Sequence, residues 1–254
     1  MHFYDNQAKG TPLLLLHQAP MSARQFEPAY AEFAKHSLRA IGIDTPGFGL
    51  SDPTPFVPAI ADWVPAVTAV MDHLRIKKCD VLGHHTGALL ATEVALLAPA
   101  RVRNVVIHGA FPMTEEARQK RLAALKSREI DFEYKADGSH LVESFKTRFT
   151  MYGPGADPKL TTRVIVEKFQ GFGPFWYGHN AAYRYDHESA LKRLKHRALL
   201  LTNTGDQIYE EAQIARRLRP DLDYAELQGG GVDIIDQQPE AWVAAIAKFL
   251  RAGL

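Results

Sequence analysis

A chain of 254 residues with 46% hydrophobic content can bury one full core, so a single domain is expected rather than several small ones. Its net charge of +1, with no long Lys/Arg run, argues against a phosphate-tracking stripe and hence against nucleic acid; a small-molecule substrate remains, bound by one chain or by a homodimer. No apolar run approaches bilayer length, and the opening stretch MHFYDNQAKG has neither the basic head nor the apolar core of a signal peptide, so a soluble, cytoplasmic protein with no membrane partner is expected.

His2, Phe3 and Tyr4 start the chain as a short strand, and Pro12 to Leu16 form a second, apolar one. In MSARQFEPAYAEFAKH, Ser22 is an N-cap and Phe26, Tyr30 and Phe33 lie at helical spacing; Pro28 leaves the exact start open, since proline is best tolerated in a first turn. Leu38 to Ile43 is the next strand and Ala59 to Leu74 the next helix. Cys79 to Leu82 follows as a strand, and its lone cysteine reads as a buried structural thiol in a reducing compartment. A helix after Gly87 and the strand Arg103 to Ile107 continue the alternation. It resumes later with the strand Ala198 to Thr202, a helix near Glu210 to Leu218, the strand Tyr224 to Leu227, and a last helix begun by Pro239 and Glu240. Trp242, Val243, Ile246, Phe249 and Leu250 share one face of that helix. Strands alternating with helices imply a mostly parallel sheet covered by helices on both faces.

Between Phe111 and Leu194 the alternation stops, and the chain becomes rich in charge, aromatics and glycine. This stretch is expected to be a mainly helical cap, 111–194, inserted into a core domain made of 1–110 and 195–254. Thr114, followed by Glu115 and Glu116 and then by basic residues, has the order of a capped surface helix. In GFGPFWYGHNAAYRYDHE most of the rings should pack the cap onto the sheet. Some of Trp176, Tyr177, His179 and Tyr183 are expected to line a substrate pocket, because ligands bind outside the strand C-termini that such a cap faces.

The stretch DVLGHHTGALLATEVALLAP is an apolar strand, a tight turn and a helix, with Gly83 and Gly87 two positions either side of His85. That is the G-x-nucleophile-x-G elbow pattern with histidine at its centre.

Together these pieces resemble the α/β-hydrolase superfamily, and within it the capped branch that includes haloalkane dehalogenases, epoxide hydrolases and carbon–carbon bond hydrolases. LLLLHQAP is similar to the family's strand ending in His-Gly, with Gln18 in place of the glycine; IDTPGFGLSD, TGDQI and QQPEAW resemble the family's D-x-P-G-x-G-x-S loop, the turn bearing the triad acid, and the start of the final helix. The resemblance implies an α/β-hydrolase fold, with Asp206 as the acid. It also implies that the sheet lacks one edge strand that relatives have before His2. The family's catalytic histidine would fall at Val232, directly after Gly231, and no histidine follows His196. Both the nucleophile and base positions therefore depart from the Ser-His-Asp pattern.

A neutral imidazole is already a base and a nucleophile, so His85 is expected to fill one of those roles, oriented by Asp206 across the gap that Val232 leaves. Backbone N–H groups of Thr86 and of Gln18 or Ala19 are the expected oxyanion hole. His84 should turn away from the substrate, His17 should support the oxyanion loop, and His108, at the end of its strand, is a pocket candidate. His17, His85, His108 and Asp206 come from four separate segments without H-x-H or H-E-x-x-H spacing, so no metal and no cofactor are expected. The activity this implies is hydrolysis of an ester, lactone or activated carbon–carbon bond. The alternatives are a cofactor-free lyase or decarboxylase on the same scaffold, and a non-catalytic small-molecule-binding protein.

Overall fold

The computed structural model describes residues 1–152 and 155–252. Among these residues seven strands form one sheet in the order β1-β3-β2-β4-β5-β6-β7: Phe3–Asp5 (β1), Thr11–Leu16 (β2), Leu38–Ile43 (β3), Cys79–His84 (β4), Val102–His108 (β5), Arg197–Asn203 (β6) and Asp223–Leu227 (β7). Only β1, at one edge, runs antiparallel to its neighbour; the other pairs are parallel. The apolar runs of the central strands have the expected cause, burial on both faces. Leu14, Leu16, Val81, Val105 and Ile107 point into one core, and Leu13, Leu15, Leu82, Val106 and Leu201 into the other.

Helices α1 (Glu27–Lys35) and α11 (Pro239–Arg251) cover the second core with Phe26, Phe33 and Trp242; α2 (Val64–His73) and α3 (Thr86–Leu97) cover the first. The helix whose start Pro28 leaves open and the one expected over Ala59 to Leu74 begin in the same way. Pro28 and Pro65 each occupy the first turn of an α-helix that is preceded by a 3-10 turn, at Ala23–Phe26 and Ile60–Trp63, so the α-helix begins where proline's missing N–H costs nothing. Ser22 caps the first of these turns, accepting from the Arg24 N–H at 3.3 Å, rather than α1 itself.

Between β5 and β6 lie α4 (Glu115–Leu125), α5 (Ser139–Tyr152), α6 (Pro158–Gln170), α7 (Tyr177–Arg184) and α8 (His187–Arg193), with α4 capped by Thr114 and followed by a π-turn at Lys126–Ile130. Phe175 and Tyr177 are buried, whereas Phe172 is exposed and packs nothing onto the sheet. Two helices complete the chain's second half, α9 (Tyr209–Leu218) and the short α10 (Ile234–Gln237). No described helix is long and apolar enough to cross a membrane.

Register decides what meets at the sheet's C-terminal edge. His84 pairs with His108, and His108 with Leu201, so three neighbouring strands end nearly flush. The residues just beyond them, His85, Gly109 and the loop to Asp206, therefore share one edge.

Candidate active site

β4 ends at His84 and α3 begins at Thr86, which leaves His85 alone to turn the chain. Its backbone sits at φ 51° and ψ −113°, a conformation that costs a non-glycine residue about 1–3 kcal/mol and persists only where surroundings fix it. They do so here: the His85 N–H donates to the His108 carbonyl at 2.8 Å, and the His85 carbonyl accepts from the Ala88 N–H at 2.8 Å. Crowding explains the flanking glycines, since a Cβ would lie 1.9 Å from the Gly87 carbonyl oxygen at position 83 and 1.9 Å from that of Leu16 at position 87.

The His85 ring reaches Asp206, with Nε2 2.8 Å from Oδ2. The Asp206 side chain is fully buried and that of His85 is 12% exposed. Burial raises the Asp206 carboxyl pKa, but the adjacent His85, the nearby His108 and the Ile208 N–H outweigh it and hold the group below the usual carboxylate range. Ionised, Asp206 can only accept, so His85 Nε2 carries the proton and a neutral ring keeps its lone pair on Nδ1. Among the described residues no protein group is hydrogen-bonded to Nδ1. The other Asp206 oxygen accepts from the Ile208 N–H at 3.2 Å.

Two features let a ring occupy this space. Gly109, at φ +75°, faces the Cδ2–Nε2 edge of the imidazole: a Cβ there would stand 2.6 Å from Cδ2. Asn203 Nδ2 donates to the carbonyls of Gly229 and Gly231, which draws the Gly-rich turn and the buried Val232 toward the Asp206 loop.

The oxyanion donors need one correction. The Gln18 N–H is already donated to Gln25 Oε1 at 2.9 Å and is not available. The same residue nevertheless fixes the next one. Its carbonyl accepts from His17 Nδ1–H at 2.8 Å and from the Met21 N–H at 2.9 Å, and across a trans peptide the Ala19 N–H must point the opposite way. Ala19 and Thr86 N–H groups have no protein acceptor among the described residues. Both residues line a cavity of about 10 Å³ together with His17, Phe48, Trp63 and Leu90, space for roughly one water-sized oxygen. Trp63 Nε1–H is buried and likewise without a partner among the described residues. From α7, Gly178 sits over this loop so tightly that a Cβ there would lie 2.1 Å from the Ala19 Cβ.

Three other histidines have their rings engaged within the protein. His17 spends Nδ1 on Gln18 and accepts the Thr45 N–H at Nε2, 3.0 Å away. His108, named as a pocket candidate, is instead fully buried in the core: it accepts from Trp242 Nε1–H at 3.0 Å and donates Nε2–H to Asn203 at 3.2 Å. His179 pairs with Glu129 at 2.8 Å and stacks on Tyr183, whose ring lies beneath Arg121. Trp176 meets Tyr177 edge to face, and both pack onto the core.

A metal centre built from His17, His85, His108 and Asp206 is not assembled, because His17 and His108 have both ring nitrogens engaged. The trio whose ligating atoms do lie within 4.8 Å of one another is His84, His85 and Asp206. Gln25 sets its chemistry. With Oε1 committed to the Gln18 N–H, Gln25 offers its amide N–H to His84 Nδ1, so His84 Nε2 carries a proton rather than a lone pair. Of the three, His84 therefore offers a hydrogen-bond donor and not a lone pair, so the trio does not present three lone pairs to one point.

Four buried histidines are held neutral. Burial pushes His108 down to about 4, against the opposing pull of Asp206, and His187 down to about 3; His17 and His84 are lowered as well. Because these pKa values lie below that of an unfolded histidine, near 6.5, the stability they contribute is complete above that pH and is lost as pH falls. His108 alone should remove about 1.4 kcal/mol per pH unit between about 6.5 and 4. Urea midpoints are expected to drop steeply from pH 7 to 5; a flat profile across that window contradicts the assignment.

Comparison with known proteins bears on the fold. A family model described as the alpha/beta hydrolase fold matches residues 11–137, half of the chain. The chain is 30% identical over 136 residues to an (E)-2-((N-methylformamido)methylene)succinate hydrolase of Acinetobacter baylyi, covering 52% of this chain and 51% of that protein. It is 34% identical over 115 residues to a 2-hydroxymuconate semialdehyde hydrolase of Pseudomonas putida, covering 43% and 41%. These matches thus span about half the length of the curated relatives or less. The enol-lactonase structure from Burkholderia xenovorans LB400 superposes with a TM-score of 0.79 at 19% identity, over 98% of this chain and 96% of that one.

Proposed function

The chain belongs to the alpha/beta hydrolase fold family, and from that premise we propose that it hydrolyses a small carbonyl compound, an ester, lactone or activated carbon–carbon bond, with His85 as the working side chain. One observation carries the reading: His85 Nε2 lies 2.8 Å from the Asp206 carboxylate, a contact that puts the proton of a neutral ring on Nε2 and its lone pair on Nδ1, the ring nitrogen nearest the backbone and so nearest the place of a serine hydroxyl. The hydrolase and lactonase names of its relatives support the substrate class.

Two routes use the same parts. Nδ1 can take a proton from water while the water oxygen bonds to the carbonyl carbon, or Nδ1 can form that bond itself. In either case the carbonyl oxygen gains negative charge between the Ala19 and Thr86 N–H groups, and Asp206 balances the positive charge on the ring. In the first route the proton on Nδ1 passes to the leaving group as its bond breaks. In the second the leaving group departs from an adduct that collapses to an acyl-imidazolium, and water then removes the acyl group.

Turnover of p-nitrophenyl acetate by the wild type and by His85→Ala tests the reading, with an expected loss of at least about 10³-fold. Rapid quench followed by mass spectrometry of the peptide holding Gly83 to Gly87 then separates the routes: an acetyl adduct identifies the nucleophile, and turnover without one the base. Equal rates for the two proteins would remove His85 from the chemistry.

A further inference from the structure

α5 is attached to the rest of the protein in an unusual way. None of its residues is fully buried, and its apolar Leu141, Val142 and Phe145 face a groove shared with α6 rather than the core. What joins it to the core is a charge. Asp233, 1% exposed, accepts from Arg148 Nη2–H at 2.6 Å and from the Tyr152 hydroxyl, both on α5; Arg148 also donates to the Tyr152 oxygen at 3.0 Å. The other Asp233 oxygen accepts from Gln18 Nε2–H at 2.8 Å.

Gln18 is the residue whose carbonyl orients the Ala19 N–H. Its N–H is held by Gln25, its carbonyl by His17 and Met21, and its side chain by Asp233. Asp233 thus connects α5 to the loop that presents an oxyanion donor. α6 repeats the pattern on the same two core segments, through Glu167 to the Ser22 hydroxyl at 3.2 Å and Arg163 to Asp236 at 2.7 Å.

We propose that Asp233 is a positioning residue: it transmits the seating of α5 to the oxyanion loop, so that the Ala19 donor is in place only when Arg148 and Tyr152 are docked. This rests on the hydrolytic reading of the site for its effect on rate, but not for its structural part. A buried carboxylate that loses its cation leaves an uncompensated charge, so the three partners should release together.

Hydrogen–deuterium exchange measures that coupling without a substrate. In Tyr152→Phe and Arg148→Lys, which do not touch residue 18, exchange in peptides covering 139–152 and 18–26 is expected to rise together by about tenfold, while 79–97 keeps wild-type protection and so reports an intact core. Turnover of p-nitrophenyl acetate should fall about 10- to 100-fold in kcat with KM little changed. Asp233→Asn should show the same pattern more strongly. Faster exchange in 139–152 with 18–26 unmoved in both α5 variants overturns the proposal, since Asp233 then pins α5 and nothing more. If the wild type turns over no ester, the exchange result still decides the coupling, while the hydrolytic reading fails separately.

Discussion

Replacing His85 by serine is expected to yield a protein with no measurable ester turnover, even though it recreates the usual elbow residue. A serine hydroxyl needs a neighbouring base to take its proton, and position 232 holds a buried valine. The double variant His85→Ser with Val232→His should regain activity at least about tenfold above the single one, because Asp206 and the Ala19 and Thr86 donors remain. The smaller serine vacates the space beside Gly109 that the imidazole fills, and this gives the new ring at 232 room to approach Asp206. If the single variant is as active as the double, Val232 does not occupy the base's position.

Asp206→Asn is expected to cost about 10⁴-fold in kcat while leaving the fold intact. The amide can turn its N–H toward His85 Nε2, which must then accept, and the ring proton moves to Nδ1. A ring protonated there has no lone pair to offer a carbonyl or a water. Glutamine or alanine at 206 would also displace the ring, so asparagine is the informative change: its shape is conserved and only the direction of the hydrogen bond is inverted. A variant within about tenfold of wild type would mean that Asp206 does not set the tautomer.

Much of the architecture was legible because the signals are local. Continuous apolar runs such as Leu13 to Leu16 announce strands buried on both faces, and glycines two positions either side of His85 announce a turn with no room for side chains. The resemblance of TGDQI to the family's acid-bearing turn implies Asp206 for a similar reason: a turn motif keeps its residues together. The features that escaped are pairings between distant side chains. Nothing local says that the Gln18 N–H is taken by a side chain seven residues on, or that His108 turns to Trp242, 134 residues away. His179, one of four candidates for a pocket lining, has its ring paired with Glu129, 50 residues away. Gly109 had a faint signal, a glycine directly after a strand; that the His85 ring needs its missing Cβ emerges only when two strand ends lie flush. Arg148 and Asp233 carry no signal in the chain, and only the docking of α5 brings them together as a pair.

The account depends on which nitrogen of His85 carries the proton. ¹⁵N NMR of histidine-labelled protein at neutral pH, with His85 assigned by comparison with His85→Ala, reads this directly. The account predicts the Nε2–H tautomer, with its proton hydrogen-bonded to Asp206 and an unprotonated Nδ1, and conversion to the Nδ1–H form in Asp206→Asn. Finding Nδ1 protonated in the neutral wild-type ring would contradict it, because the lone pair would then point at Asp206 and not at a substrate.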